Sequence, residues 1–263
     1  MAVGGNASCE ADLGYALQFH GTGDDRVHAD ITKLPVNQEA RTIELWAYFD
    51  GTALSWHNEH GLFEYGQKGG CHEFAINTVD WNGAGPGEIH PYGNCDEIDN
   101  FFNMPADVMK TGWVHISYSY DAAAKQFHFT INGSDQIQNG APANRAHPIG
   151  NWPGNTFSTM KSPLRIGTTD DFQGPPGWQG KIDELRVWNV YRTPQQIKDN
   201  MTVILKGNEP GLVAYYHFDE GNGTSSADAT GDANNAAKFV GTEMATWPMW
   251  VKSDIPGRWT CAP

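Results

Sequence analysis

The sequence contains no apolar run that approaches the roughly 18 residues of a membrane-spanning helix. Its first residues also lack the charged start and the apolar stretch of a secretory signal peptide. Residues 1–5 are compatible with a start left after removal of such a signal. We therefore expect no insertion into a membrane.

Basic residues are scarce. The chain has 17 Lys and Arg against 31 Asp and Glu, a formal charge of −14, and no Lys/Arg cluster interrupts the acidity. Such a surface repels DNA, RNA and anionic membranes, so we expect no nucleic-acid partner. The same reasoning argues more weakly against sulfated or uronic polysaccharides.

A long helical pattern is also absent. Instead, the 263 residues include 30 Gly and 15 Pro, and aromatic residues make up 12%. This composition is typical of many short strands joined by turns. The length fits one large β sandwich as well as two smaller units.

The four cysteines lack the CxxC spacing of a zinc site. Of the three pairings that four cysteines allow, we favour Cys9–Cys261, which ties the two ends of the chain, and Cys71–Cys95, which closes a Gly-rich loop. The alternative is four free thiols in a cytosolic protein. Disulfides indicate an oxidising compartment, so we expect a secreted or cell-surface protein.

Alternating apolar segments bounded by Gly, Pro, Asn and Asp predict the strands. These are residues 15–20, 42–49, 62–65, 74–79, 113–120, 127–131, 164–166, 182–188 and 211–218. The region 50–110 otherwise consists of long loops rich in His, Trp, Gly and Asn. Loops of that length usually carry function.

One helix is predicted over residues 193–206. Thr193 is a favourable N-cap, Pro194 fits the first helical position, and apolar residues then recur at helical spacing up to Gly207. The apolar stripe is interpreted as core packing.

The ordered set of these segments resembles the laminin G-like and pentraxin-like domains of the concanavalin A-type lectin/glucanase superfamily. The matching segments are residues 16–27, 42–46, 112–133, 164–167 (LRIG), 180–189 (GKIDELRVWN) and 211–221. The resemblance implies an all-β fold with two packed antiparallel sheets in a jelly roll, as one domain over residues 1–263. It also implies a calcium ion and a module that binds glycans or proteins. Departures from the family pattern are the expanded loop region 50–110 and an insertion at 139–162.

The predicted position of Asp183 requires a partner that compensates the charge of its carboxylate. In the strand 182–188, alternation places Asp183 in phase with Leu185 and Val187, so its carboxylate is expected to turn inward. A buried carboxylate is costly unless a cation or several donors compensate it.

The resemblance implies that a calcium ion compensates the charge of Asp183. In such domains, the turn that corresponds to residues 21–25 lies close to the strand that carries the aspartate. The predicted ligands are Asp25 and Asp183, with Asp24 and the backbone carbonyls of Gly21 and Gly180 as further candidates. The alternative is a salt bridge from Asp183 to Arg26 or Arg165.

Loops that mix aromatic and polar residues are the predicted ligand site. Sugars present apolar faces and many hydroxyls, so glycan sites combine exposed aromatic rings with Asn, Glu and His. The candidates are Trp56, His57, Glu59, Trp81, Asn82, His90, Tyr92, Trp152 and Trp178. We therefore predict carbohydrate binding.

Two alternatives remain open. In the first, the chain is an enzyme that acts on polysaccharide, with His57, Glu59 and Tyr92 as acid–base groups. No ExDxE motif of paired carboxylates supports a glucanase. In the second, the aromatic loops bind a protein.

Overall fold

The structure is a computed structural model that describes residues 13–21, 25–49, 60–68, 71–79, 88–93, 102–103, 112–136, 158–169, 177–240, 247–257 and 259–262. Its strands are β1 (Tyr15–His20), β2 (Arg26–Ala29), β3 (Arg41–Phe49), β4 (His60–Gly66), β5 (Glu73–Val79), β6 (Glu88–Tyr92), β7 (Phe102–Asn103), β8 (Gly112–Asp121), β9 (Gln126–Ile131), β10 (Ser134–Asp135), β11 (Leu164–Ile166), β12 (Gln179–Trp188), β13 (Val203–Ile204), β14 (Leu212–Tyr216), β15 (Ser225–Ser226), β16 (Ala237–Val240), β17 (Met249–Lys252) and β18 (Thr260–Cys261). One α-helix, α1, spans Pro194–Asn200.

Two large antiparallel sheets form the sandwich, which confirms the predicted jelly roll. Sheet 1 has the order β10-β9-β8-β3-β12-β1-β17, with β14 also paired to β12. Sheet 2 has the order β15-β16-β2-β11-β4-β5-β6-β7. Among the described strands, β13 and β18 form a separate parallel pair.

The core lies between the two sheets and follows from strand alternation. In β3, Ile43 and Leu45 point inward with the next alternate residues, whereas Glu44 and Trp46 point to the outer face of sheet 1. Phe74 of sheet 2 stacks on Tyr118 of sheet 1 with ring centroids 4.2 Å apart. Burial of these aromatic surfaces is the main force that holds the sheets together.

A β-bulge at Glu184 changes the phase of β12. Asp183 pairs with Trp46 and Arg186 with Glu44, so β12 advances by one more residue than β3 between these pairs. Glu184 has a positive φ of 52°. The prediction that Asp183 is in phase with Leu185 was therefore wrong: Asp183 lies opposite Trp46, on the outer face of sheet 1.

The helix is shorter than predicted. It begins with a capping box, in which the Thr193 hydroxyl accepts from the Gln196 N–H and the Gln196 side chain accepts from the Thr193 N–H. It ends at Asn200, because Val203 and Ile204 leave the helix to pair with β18.

The helix and the C-terminal residues pack on the outer face of sheet 1. Trp46, Trp113, Ile255 and Trp259 are buried there as one apolar cluster. The Trp46 indole donates to the Met201 carbonyl at 2.9 Å. Trp46 and Trp113 therefore act as packing residues on this face. Within the described part of the chain, no helix has the length and apolar character needed to cross a membrane.

Candidate functional site

The outward face of sheet 2 carries polar side chains across most of its width. Lys238, His28, Arg165, Glu64, Ala75 and Tyr92 are successive cross-strand neighbours from β16 to β6. Arg26, Glu73, Asn77 and His90 lie two residues away from members of this row, so they point to the same side. We call the nine polar residues of this set the polar face.

The polar face divides into two parts by burial. On β4, β5 and β6, the side chains of Glu64, Glu73, Asn77, His90 and Tyr92 are all buried. On β2, β11 and β16, the basic side chains are half-buried or exposed. Outward polar residues of a two-layer sandwich are ordinarily solvated, so a shielded polar surface is a feature of a binding site or of a structural network.

His90 and Tyr92 form a ring pair within this surface. Their ring centroids lie 4.7 Å apart with an interplanar angle of 25°. The sequence placed both residues in a loop, but they occupy alternate positions of β6. Asn77 is the cross-strand partner of His90 and adds an amide beside the imidazole.

Glu64 and Arg165 connect the two parts. The guanidinium Nη1 of Arg165 donates to Glu64 Oε1 at 2.8 Å, and the side chain of Glu64 is 1% exposed. A buried carboxylate needs such a partner to remain charged. The arginine is thereby fixed with its guanidinium at the centre of the cross-strand row.

The predicted ligand segments start and finish at one end of the sandwich. The described residues at this end are Phe49, which pairs with Gly180; His60, which pairs with Thr78; Gly61, which bridges Gly177; and Val79, which pairs with Glu88. The candidates Trp56, His57, Glu59, Trp81 and Asn82 lie outside the described residues. Their flanking residues are nevertheless neighbours in space, as a shared site requires.

Trp152 also lies outside the described residues. Ser158, the first described residue after it, donates its N–H to the Cys71 carbonyl at the opposite end of sheet 2.

Trp178 does not provide an exposed platform. Its side chain belongs to the core and is 1% exposed. The ring packs edge-on against Phe49 at 5.0 Å, and the indole N–H donates to the Lys181 carbonyl at 3.3 Å. The Gly/Pro-rich neighbourhood suggested an exposed loop, but the strand that follows draws the indole between the sheets.

The metal ligands predicted from the resemblance do not meet at one point. Asp25 accepts hydrogen bonds from the backbone N–H of His20, whose strand partner is Gln179. The backbone of Asp183 lies four residues beyond Gln179 on β12, about 13 Å from it at the rise of a strand. Two ligands of one calcium ion lie within about 5 Å of each other, so this strand spacing argues against one ion shared by Asp25 and Asp183.

Asp183 is compensated in another way. Its Oδ1 accepts from the Glu184 N–H at 2.8 Å, and its Oδ2 accepts from the Ser253 hydroxyl at 2.6 Å. Burial, aided by the charge of Glu184, raises the pKa of Asp183 well above its usual value. The alternative of a salt bridge to Arg26 or Arg165 was also wrong, because both arginines lie on sheet 2, whereas Asp183 lies on the outer face of sheet 1.

Asp25 retains a feature of a cation ligand. Its side chain is buried, and Oδ1 receives no hydrogen bond from any residue that the structure describes. Burial raises the pKa of Asp25 to about 6, although bonds from His20 oppose the shift. Asp24 lies outside the described residues. No cluster of three or more His, Cys, Asp or Glu suited to a metal occurs within the described ranges.

A second polar network, missed from the sequence, lies on the outer face of sheet 1. Buried Glu184 accepts from the Tyr215 hydroxyl and from Arg186 Nη2 at 3.1 Å, and contacts His217 Nδ1 at 3.0 Å. Burial alone would raise the pKa of Glu184, but the bond from His217 and the charge of Arg186 hold it below its usual value. Arg186 also donates to the carbonyls of Asn200 and Val203, so this network fastens the end of α1 to the sheet.

The basic residues of the polar face were also missed as a group. The signal was present in the alternation of Arg26 and His28 with core residues, and in Arg165 between two apolar residues. The sequence does not show that these strands are neighbours, so the shared face was not visible.

Comparison with known proteins gives the family. Residues 21–198 match the family model described as concanavalin A-like lectin/glucanases superfamily, and the chain belongs to this family. The search of curated proteins gave no match.

Several solved structures are similar to this chain. A Bacteroides ovatus protein provisionally described as carbohydrate-binding aligns with a TM-score of 0.61 at 19% identity, over 94% of this chain and 62% of that protein. A heptameric pentraxin of Limulus polyphemus aligns with a TM-score of 0.49 at 14% identity, over 72% of this chain and 82% of the pentraxin. Domains LG4-5 of the mouse laminin α1 chain align with a TM-score of 0.46 at 12% identity, over 74% of this chain and 48% of the laminin chain. This chain thus spans about 62% of the length of the Bacteroides protein.

Proposed function

We propose that this member of the concanavalin A-like superfamily is a secreted or cell-surface module that binds carbohydrate on the polar face of sheet 2. The observation that carries the proposal is the continuous polar surface from β16 to β6, next to the end of the sandwich where the predicted ligand segments start and finish. The provisional description of the Bacteroides relative as carbohydrate-binding also supports it.

The side chains present suit sugars. Asn and Glu bind pairs of hydroxyls, and imidazole and phenol groups add single donors and acceptors. Aromatic rings pack on the apolar faces of sugar rings, a role for Trp56 and Trp81 in the adjoining segments. In this proposal, the half-buried His28 and Arg165 supply polar contacts from the sheet, and the buried Asn77, His90 and Tyr92 order the adjoining part of the face.

The test is binding to an array of neutral and acidic glycans by wild type, Trp81→Ala and His90→Ala. We expect both variants to lose binding while they keep the wild-type circular dichroism spectrum. Met160→Ala is the control, because Met160 is 47% exposed and its N–H bonds to His72 at the opposite end of the sheet. Undiminished binding by both variants would place the site elsewhere, and no binding to any glycan would contradict the function.

A second candidate is an enzyme that acts on polysaccharide, which the His90–Tyr92 ring pair favours because both groups can carry a proton. Glu64 lies two strands from Tyr92, about 10 Å away, so the carboxylate would act at a different atom of the substrate. Release of reducing ends, or absorbance from unsaturated sugars, that disappears in Tyr92→Phe would support this candidate. A protein ligand is favoured instead if the glycan arrays remain blank.

A calcium ion at Asp25 remains part of the proposal, without Asp183. The buried Oδ1 of Asp25 fits a hard cation, and Asp24 with carbonyls of the Gly-rich turn would complete the oxygen ligands. The ion would fix the turn beside the predicted ligand segments. We expect calcium to raise the melting temperature of the wild type but not of Asp25→Asn; an equal rise in both would refute this site.

We also retain the two disulfides as proposals. Ala75 pairs with Tyr92, so continuation of the same antiparallel register would set position 95 opposite position 72, next to Cys71. Cys9 and Cys95 lie outside the described residues. Mass spectrometry of a non-reduced digest would identify the pairs, and any other connectivity would correct the assignment.

A further inference from the structure

The basic side chains of the polar face occupy adjacent strands on one side of sheet 2. Lys238 of β16 is the cross-strand partner of His28, and His28 is the partner of Arg165. Arg26 lies two residues from His28 on the same side of β2. Neighbouring strands are about 4.8 Å apart, so Lys238 and Arg165 are separated by about 10 Å.

The local charge differs from the charge of the whole chain. Arg165 is paired with Glu64, but no described carboxylate forms an ion pair with Arg26 or Lys238. The nearest carboxylate in phase along this segment is Asp30, which follows β2 and lies on the far side of His28 from Arg26. A chain with a formal charge of −14 therefore presents a small cationic surface at this place.

The Nε–H group of Arg26 is a hydrogen-bond donor that has no acceptor among the described residues. This nitrogen is also shielded from solvent. A shielded guanidinium nitrogen without an acceptor is costly, and an anionic oxygen would satisfy it. The flat guanidinium fork also matches the two oxygens of a carboxylate or sulfate group.

We infer that the polar face takes an acidic polysaccharide, with carboxylate or sulfate groups on Arg26, Lys238 and the exposed side of Arg165. The inference rests on the proposed function, because the half-buried His28 of the same face would hold sugar hydroxyls of the same polysaccharide. The weaker argument against uronic and sulfated polysaccharides came from the net charge of the molecule. The net charge does not prevent an acidic ligand from binding at this face. Exposed acidic groups elsewhere on the surface, more than a Debye length of about 8 Å from the ligand, are largely screened by salt.

The test uses polygalacturonate, a sulfated dextran and neutral dextran as probes, with binding measured at two salt concentrations. The variant is Arg26→Gln with Lys238→Gln. The matched control is Lys198→Gln with Lys206→Gln, two exposed lysines on and after α1 that remove the same charge. We expect affinity for one acidic probe to fall about tenfold in the variant and to stay unchanged in the control, because two exposed charge contacts are lost.

The carboxylated and sulfated probes distinguish the two sources of negative charge. Binding of neutral glycans alone would overturn this inference and leave the proposed function intact. Binding of no glycan would overturn both. Equal loss of affinity in the variant and the control would show an attraction that depends only on net charge, and would also overturn it.

Discussion

Replacement of Arg186 by Leu tests how the outer face of sheet 1 is held together. Arg186 is completely buried, and its guanidinium lies 5.1 Å from the centre of the Tyr215 ring. It donates to Glu184 at 3.1 Å, to the Asn200 carbonyl at 2.9 Å and to the Val203 carbonyl at 2.7 Å. The substitution removes all of these bonds and leaves Glu184 buried without its cation.

We expect the free energy of unfolding to fall by about 3–4 kcal/mol, because removal of one partner from a buried ion pair costs about 3–5 kcal/mol. The lower half of that range is favoured, since Tyr215 and His217 still bond to Glu184. Such a loss is about a third or more of the stability of an ordinary domain. Part of this loss comes from the uncompensated carboxylate of Glu184, and a second substitution tests that part directly.

The measurement is urea unfolding followed by tryptophan fluorescence and circular dichroism. In the Arg186→Leu background, Glu184→Gln removes the stranded charge and should restore about 1–2 kcal/mol. Lys198→Ala, an exposed cation on α1, is the control and should change stability by about 0.5 kcal/mol or less. A loss below about 1 kcal/mol for Arg186→Leu, or a further loss in the double variant, would refute the reasoning.

Three further substitutions test other parts of the structure. Because burial raises the pKa of Asp183, the folded state keeps a proton that the unfolded chain releases, so wild-type stability falls as pH rises above about 4. Asp183→Asn should flatten that fall, measured by unfolding between pH 4 and 8, and still accept a bond from Glu184. Trp178→Ala should cost about 3–5 kcal/mol, as expected for a core indole rather than an exposed ring. Gly61→Ala should lower the melting temperature, because an added Cβ would lie 2.4 Å from the Thr168 carbonyl carbon.

Each of these variants has an outcome that contradicts its basis. Asp199→Asn, on the exposed side of α1, is the control for Asp183→Asn. An equal change in the pH dependence of stability in both variants would show that the fall does not come from the raised pKa of Asp183. Met249→Ala, at a side chain 53% exposed, is the control for Trp178→Ala. An unchanged melting temperature for Gly61→Ala would show that the backbone at Thr168 moves freely.

Local rules in the sequence determined most of the fold. The period-two alternation of residues 42–49 and 113–120 predicted β3 and β8, because each strand buries one face against the opposite sheet. Thr193 and Pro194 predicted the start of α1, since capping depends on adjacent residues. The ordered segments also indicated the family, which the match over residues 21–198 confirms.

The tertiary structure alone decided which side chains meet. A single extra residue at Glu184 moved Asp183 to the outer face and away from Asp25, and strand alternation in the sequence does not reveal a bulge. Register likewise assembled Arg26, Arg165 and Lys238 from three distant segments into one surface. Long-range pairing is selected by the burial of whole sheets, a property of the complete chain, so the composition of the surface on sheet 2 became visible only once the strand order was known.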